Sequence, residues 1–395
     1  MKKGITVFTI CLVFCVFSLL VGNEVRAEKE IRFGILTALS GPAAPWGIAN
    51  SRSMMLGADE INEKGGFKVK GETYKWKVFL YDSKYIPAEA VKSLNKAIYS
   101  DKVNFVAIQG GSPLLACMSI LKQNKMLSLN DAAGGKSITN PNNHLVFRWN
   151  PSIEGTYAAA LSYIKKKEGI KTMASLNPDD ETGKSGEAAA EYVAKLYGIK
   201  IITSLRFERG TKDYTSLLTK VIAQNPDMIE TGYTDPTGEA LILKQARELG
   251  YKGIILLAWG PDPVQVLKVA GPLAEGAYLS ATPPEPATQL AKDLYQKFLK
   301  KYPANEWRGQ YQHYHTLLPT LSAAIEKCQS FDPQKIADTL DAMKWESALG
   351  PQSFGGKKYY GIKRQLIVPI TLLKMVNGKA VIETQIMSPP AGVLD

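Results

Sequence analysis

Histidine and cysteine are scarce in this chain of 395 residues, which has three of the first and four of the second. That scarcity removes most metal and nucleophile chemistry. His313 and His315 stand two apart on a stretch that reads as helix, so they point to different faces and make no zinc pair. A phosphate loop is lacking as well. Gly135-Lys136-Ser137 and Gly183-Lys184-Ser185 look like the end of one, but Asn130 and Pro178 stand where the required earlier glycine belongs. Gly111-Ser112-Pro113 lacks the glycine that completes a nucleophile elbow. No Ser/His/acid set can be assembled, so the expectation is a non-enzyme with no cofactor and no metal. The formal charge is +11, yet the basic residues are scattered. Their longest run, Lys165–Lys167, closes a predicted helix before Gly169, where cations suit the helix dipole. No basic stripe is interleaved with aromatics, so nucleic acid is not an expected partner.

Long apolar runs are absent after the first residues. Ile5 to Val21 is almost continuously apolar behind Lys2 and Lys3, and Val25-Arg26-Ala27 offers small residues at a cleavage spacing. Residues 1–27 therefore read as a signal peptide cut after Ala27. An uncleaved anchor is the alternative, because a spanning helix needs about 20 apolar residues. Bulky Phe14 before Cys15 argues against lipid attachment there. Cleavage would leave Cys117 and Cys328, either bridged in an oxidising compartment or free as two buried thiols. It would also leave about 370 residues, more than one ordinary core carries, which suits two domains.

What is present is an alternation of strands and helices. Ile31–Ala38 reads as a buried strand ended by the turn Ser40-Gly41-Pro42. A helix is expected from Ser51, with Met54, Ala58 and Ile61 on one face and Gly65-Gly66 at its end. Strand and helix segments then alternate to Ala270, with strands at 76–81, 103–108, 126–129, 172–176, 200–205, 228–231 and 253–258. Such alternation predicts parallel sheets covered on both faces. The pattern restarts near residue 150 without sequence repetition, which predicts two similar lobes. Long helices are expected over Ala287–Lys301 and Arg308–Cys328. Short strands are expected at Tyr359–Tyr360, Arg364–Met375 and Ala380–Gln385.

From Ser40-Gly41-Pro42 through Trp46-Gly47 to the INEKGG segment (Ile61–Gly66), the chain resembles periplasmic ligand-binding proteins of the leucine/isoleucine/valine-binding type. The resemblance continues through LYDSKYIPAEAVK (Leu80–Lys92), Gly183–Glu187 and FERGTKDYTSLLTKVIAQNPDMI (Phe207–Ile229). It ends at Leu349-Gly350-Pro351 with Phe354. It implies a type I periplasmic binding protein fold: two Rossmann-like α/β lobes with parallel central sheets joined by a three-segment hinge. Crossings are expected near 145–151, 277–285 and 347–353. Lobe 1 would comprise 28–147 plus 281–350, and lobe 2 would comprise 148–280 plus 351–395. The resemblance also implies a monomeric solute-binding protein of an ABC importer in the periplasm. Its ligand would be a small amino acid or related compound, and its partner an inner-membrane permease. A sensor feeding a signalling partner is the alternative role.

A carboxylate is best gripped by hydroxyls and free backbone N–H groups at a helix N-terminus. Gly110-Gly111-Ser112-Pro113 supplies such a start, and Ser112 either meets ligand or caps its helix. The resemblance adds the next loop, so Gly111, Ser112, Ala132 and Gly134 are the expected carboxylate residues. Asp262 is the expected partner of an amino group, or else a helix cap. Trp46 and Tyr233 are the expected aromatic walls, Tyr311 or Tyr314 lesser ones, and Thr182 stands where the family often has tyrosine. Three departures point away from leucine. Gly134 replaces a usual Ser or Thr, Trp46 is large, and Asp131 places an acid where it would repel a carboxylate. An amide or an aromatic compound is the alternative ligand. The family's usual disulfide has no counterpart, because Tyr85 and Gly111 occupy its places.

Overall fold

The computed structural model describes residues 29–387, 390 and 392–394; the expected signal peptide lies outside the described residues. The chain builds most of one sheet first. β1 (Lys29–Thr37), β2 (Phe67–Val69), β3 (Glu72–Asp82), β4 (Phe105–Ile108), β5 (Ser128–Asn130) and β6 (Val146–Arg148) belong to it. The chain then crosses to a second sheet and adds β7 (Thr172–Pro178), β8 (Lys200–Phe207), β9 (Met228–Glu230), β10 (Ile254–Leu257) and β11 (Tyr278–Ser280). It returns to the first sheet with β12 (Lys344–Ser347), β13 (Gly350–Gly355) and β14 (Gln365–Ile367). It ends in the second with β15 (Ile370–Val376) and β16 (Lys379–Ile386). The sheet orders are β12-β13-β14-β6-β5-β4-β1-β3-β2 and β16-β15-β11-β10-β9-β7-β8. The central pairs β1–β3, β1–β4, β4–β5 and β5–β6 are parallel, as are β7–β8, β7–β9, β9–β10 and β10–β11.

Parallel strands buried on both faces need apolar residues at consecutive positions, and β1 supplies them. Ile31, Phe33 and Ile35 pack on one face with Trp76, Phe105 and Leu317, Leu318 and Leu321. Leu36 packs on the other with Val106, Ile108, Leu114 and Leu121. Each fully buried leucine of this kind contributes roughly 1.5–3 kcal/mol. The same division separates the two cysteines. Cys117 belongs to one face and Cys328 packs against the other, and both are free thiols. Burial pushes the Cys117 thiol up to about 12.

Four expectations change. The helix expected from Ser51 spans Ala44–Glu63, with Pro45 in its first turn. Its first turns bury Asn50, Ser51 and Ser53, so apolar spacing becomes visible only at Met54. The expected helix Arg308–Cys328 breaks into Tyr311–Tyr314 and Leu317–Cys328. At that break Gly57 meets the His315 carbonyl, where a Cβ would lie 2.2 Å from the oxygen. Tyr359–Tyr360 is part of a short helix, Lys357–Tyr360. The third crossing, expected at 347–353, falls instead between β14 and β15 at Val368-Pro369. Proline cannot donate to a ladder, so Arg364–Met375 cannot run as one strand and the chain changes sheets there.

The turn after β1 is tight because Gly47 sits against the Ala38 carbonyl; an added Cβ would lie 1.9 Å from that oxygen. Gly47→Ala gains about 1 kcal/mol of helix propensity but forces the loop apart, an overpacking that costs roughly 1–3 kcal/mol. Urea unfolding should therefore show a net loss of stability, and a variant more stable than the parent would contradict this packing.

Candidate functional site

A cavity lies between the two sheets. All three crossings line it, through Asn150 and Pro151, Ala281 and Thr282, and Pro369 to Thr371. The first lobe adds Trp46, Asn50, Tyr85, Gln109, Asp131 and Ala133, together with Gln310, His313 and Tyr314. The second lobe adds Thr156, Trp259, Gly260 and Ser280. Gln109 follows β4 and Asp131 follows β5, so both stand at the carboxyl ends of parallel strands, where open α/β sheets hold ligands. No lysine or arginine is among the described residues of the lining.

The polar wall is ordered by its own bonds. Asn50 Nδ2 donates to Asp131 Oδ2 at 2.5 Å, and the Tyr314 hydroxyl donates to Asp131 Oδ1 at 2.5 Å. Burial pushes the Asp131 carboxyl up, against the bonds from Tyr314 and Asn50. Gln109 Oε1 accepts from Thr37 Oγ1 at 2.7 Å and from the Ala38 N–H at 2.9 Å. The His313 ring is buried, which holds its pKa down to about 4, while a bond to the Trp149 backbone opposes that fall. Asn50 Oδ1, Gln109 Nε2, both amide atoms of Asn150, Ser280 Oγ and His313 Nε2 are buried without a protein partner. Buried polar atoms are normally paired, so these six mark where a ligand or water must bond.

The lobes are closed over this space. Trp46 Nε1 donates to the Gly260 carbonyl at 2.8 Å, Ser137 Oγ donates to Glu181 Oε1 at 2.8 Å, and Arg308 Nε pairs with Asp262 Oδ2 at 2.9 Å. Each of these joins a residue of the first lobe to one of the second.

The sequence profile of the family described as "Periplasmic binding protein" matches residues 30–379. The chain belongs to that family. Curated relatives include the Leu/Ile/Val-binding protein of Citrobacter freundii, 27% identical over 343 residues, covering 85% of this chain and 89% of that protein. Another is the leucine-, isoleucine-, valine-, threonine-, and alanine-binding protein of Pseudomonas aeruginosa, 25% identical, covering 84% of this chain and 87% of that protein. Among solved structures, a leucine-binding protein from Thermotoga maritima is similar with a TM-score of 0.76 at 23% identity, covering 90% of this chain and 98% of that one. A solute-binding protein from R. palustris in complex with 4-hydroxybenzoate is similar with a TM-score of 0.76 at 19% identity, covering 91% and 96%. The family consists of substrate-binding proteins, and the type I periplasmic binding protein fold accounts for the two sheets.

In this periplasmic binding protein the expected site residues separate. Trp46 lines the cavity, near the Tyr85 ring at 6.3 Å between centroids. Tyr314 lines it too, whereas Tyr311 packs on Trp307 and Phe298 in a core cluster. Ala132 faces the lobe core with Leu114 and Cys117, and the wall is made by Asp131 and Ala133 on either side of it. Gly134 turns its carbonyl to Arg148, away from the lining. Gly111 is wedged against the Ala133 carbonyl and Thr182, and half-buried Ser112 is outside the lining, its buried hydroxyl without a protein partner and capping no helix. The Thr182 hydroxyl lies 3.3 Å from the Tyr85 hydroxyl. Tyr233 stacks beneath Trp259 at 4.3 Å, so Trp259 is the ring that meets the cavity. Asp262 caps the helix Pro263–Ala270 by accepting from Val264 N and is held by Arg308.

The helix start at Gly111 is covered. The Tyr85 ring lies over Gly110, where an added Cβ would be 2.8 Å from it, and the Arg209 guanidinium stacks on that ring at 4.9 Å. Arg209 is itself paired with Asp180 at 2.6 Å. Asn50, Tyr85, Gln109, Asn150, Trp259 and His313 are wall residues without an earlier role. Position at a strand's carboxyl end was the available signal for Gln109 and Asn150; the others come from packing.

His313 has a folded pKa of about 4, below the ~6.5 of a free imidazole. The unfolded chain thus takes up a proton first as pH falls, so this residue withdraws stability between about pH 6.5 and 4 and has no effect above. His313→Gln should melt with a shallower fall in Tm across that window. Equal slopes for the two proteins would contradict a neutral, buried His313.

Proposed function

We propose that this chain is the exported receptor of an ABC importer, capturing one small organic solute between its lobes and presenting the closed form to a permease. The observation that carries the reading is the cavity itself, walled by both lobes and by all three crossings. A ligand touching both walls favours closure by the difference in its affinity for the closed and open forms. The apolar N-terminal run supports export, and among described residues no helix is long and apolar enough to cross a membrane. Binding of a monomer is sufficient for this role.

Within that role the geometry favours an amide or aromatic compound over a branched-chain amino acid gripped by its carboxylate. Ser112 and Gly134 are off the wall, the helix start beside them lies under Tyr85, and the described lining holds no cation. Trp46, Tyr85 and Trp259 supply the aromatic surface that a planar body needs.

Thermal-shift measurements on the mature protein against amino acids, aromatic acids and amides test the reading. A bound solute at a hundredfold excess over Kd stabilises by about 2.7 kcal/mol. Trp46→Ala should abolish most of that shift. If no small solute raises Tm, or if Trp46→Ala responds like the parent, the receptor reading fails.

A further inference from the structure

We propose that Asp131 sets the ligand class: it accepts N–H donors from an amine or primary amide and turns carboxylates away. The inference rests on reading the cavity as the ligand site.

The balance of donors and acceptors on the wall supports it. Asn50 turns its Nδ2 to Asp131, which leaves Asn50 Oδ1 as a free acceptor. Tyr314 gives its only proton to Asp131. Gln109 Oε1 is taken by Thr37 and Ala38. Neutral His313 leaves its Nε2 unpartnered. Asp131 and Asn50 Oδ1 seek a proton from the ligand. Asn150 Oδ1 stands with them, and against them stand Gln109 Nε2, the Asn150 amide N–H and the Ser280 hydroxyl. An anion entering this wall would meet a carboxylate in a space whose described lining has no cation, and like charges at short range in low dielectric repel strongly.

The rest of the architecture agrees. The helix start at Gly111, the one expected to grip a carboxylate, is covered by Tyr85. Of the nearby guanidinium groups, Arg209 pairs with Asp180, Arg308 with Asp262, and Arg148 bonds the Gly134 carbonyl outside the lining. Tyr85 stands at φ 62°, a left-handed conformation that glycine adopts at no steric cost. Tyr85→Gly should therefore uncover the helix start without straining the loop. The aromatic lining suits a cationic or planar body.

Calorimetric titration with two matched pairs, leucine with leucinamide and benzoate with benzamide, tests the assignment. In the parent protein at least one amide should bind, and at least about tenfold more tightly than its acid. Asp131→Asn should bring that ratio within about threefold. Tyr85→Gly should raise the affinity of the acid. Tyr314→Phe keeps the carboxylate and removes one of its donors, so the preference for the amide should persist or widen. Ligand-free melting curves establish that each variant is folded, and Tyr314→Phe serves if Asp131→Asn is not. An acid that binds more tightly than its amide, or a ratio unchanged by Asp131→Asn, overturns the role of Asp131 and leaves solute capture standing. If no member of either pair binds, the role of Asp131 is contradicted, and the receptor reading stands or falls by the wider thermal-shift screen.

Discussion

The chain passes between its two sheets three times, and that constraint decides where a ligand can sit. Each crossing leaves a strand end and enters the other lobe, so the backbone at 150–151, 281–282 and 369–371 forms a common floor. Two parallel sheets joined this way present their carboxyl ends to each other across one cleft. Gln109, Asp131 and Asn150 reach the cleft for that reason. The lobes can move about the crossings while each keeps its own core, since the apolar clusters of β1 and β7 are separate.

Trp46 to Gly260, Ser137 to Glu181 and Arg308 to Asp262 span the gap, joined by Gln310 to Gly260, Tyr85 against Thr182 and Arg209 on the Tyr85 ring. A ligand adds to these contacts by satisfying the unpartnered atoms on both lobes, Asn50 and His313 on one side and Ser280 on the other. This makes the polar balance of the wall the determinant of what the protein carries. A wall with one carboxylate and no cation among its described residues selects by charge before it selects by shape.

Much of this was legible in the sequence. β1 and its glycine-proline turn could be placed because a short apolar strand followed by a turn and helix has one common reading, whereas Trp46 came from the family resemblance. The acid at Asp131 was visible as an obstacle to a carboxylate, and the structure puts it on the wall. The alternation of the next loop was not legible: after β5 the wall takes Asp131 and Ala133 while Ala132 faces the core, a register that only packing decides. Tyr85 was noted for the cysteine it lacks, yet its covering of Gly110 depends on a left-handed backbone that composition does not announce. Trp259 hides Tyr233 through a stacking contact with no sequence signal. The third crossing lay beyond the expected position because Pro369, and not the Leu349-Gly350-Pro351 segment, marks the change of sheet.

Small-angle X-ray scattering on the mature protein tests the central claim most directly, by comparing its radius of gyration alone and with saturating leucinamide, benzamide or benzoate. Closure driven by N–H donors at Asp131 predicts a contraction with at least one of the first two and none with benzoate. A radius unchanged by either amide, or a contraction with benzoate alone, would contradict the account.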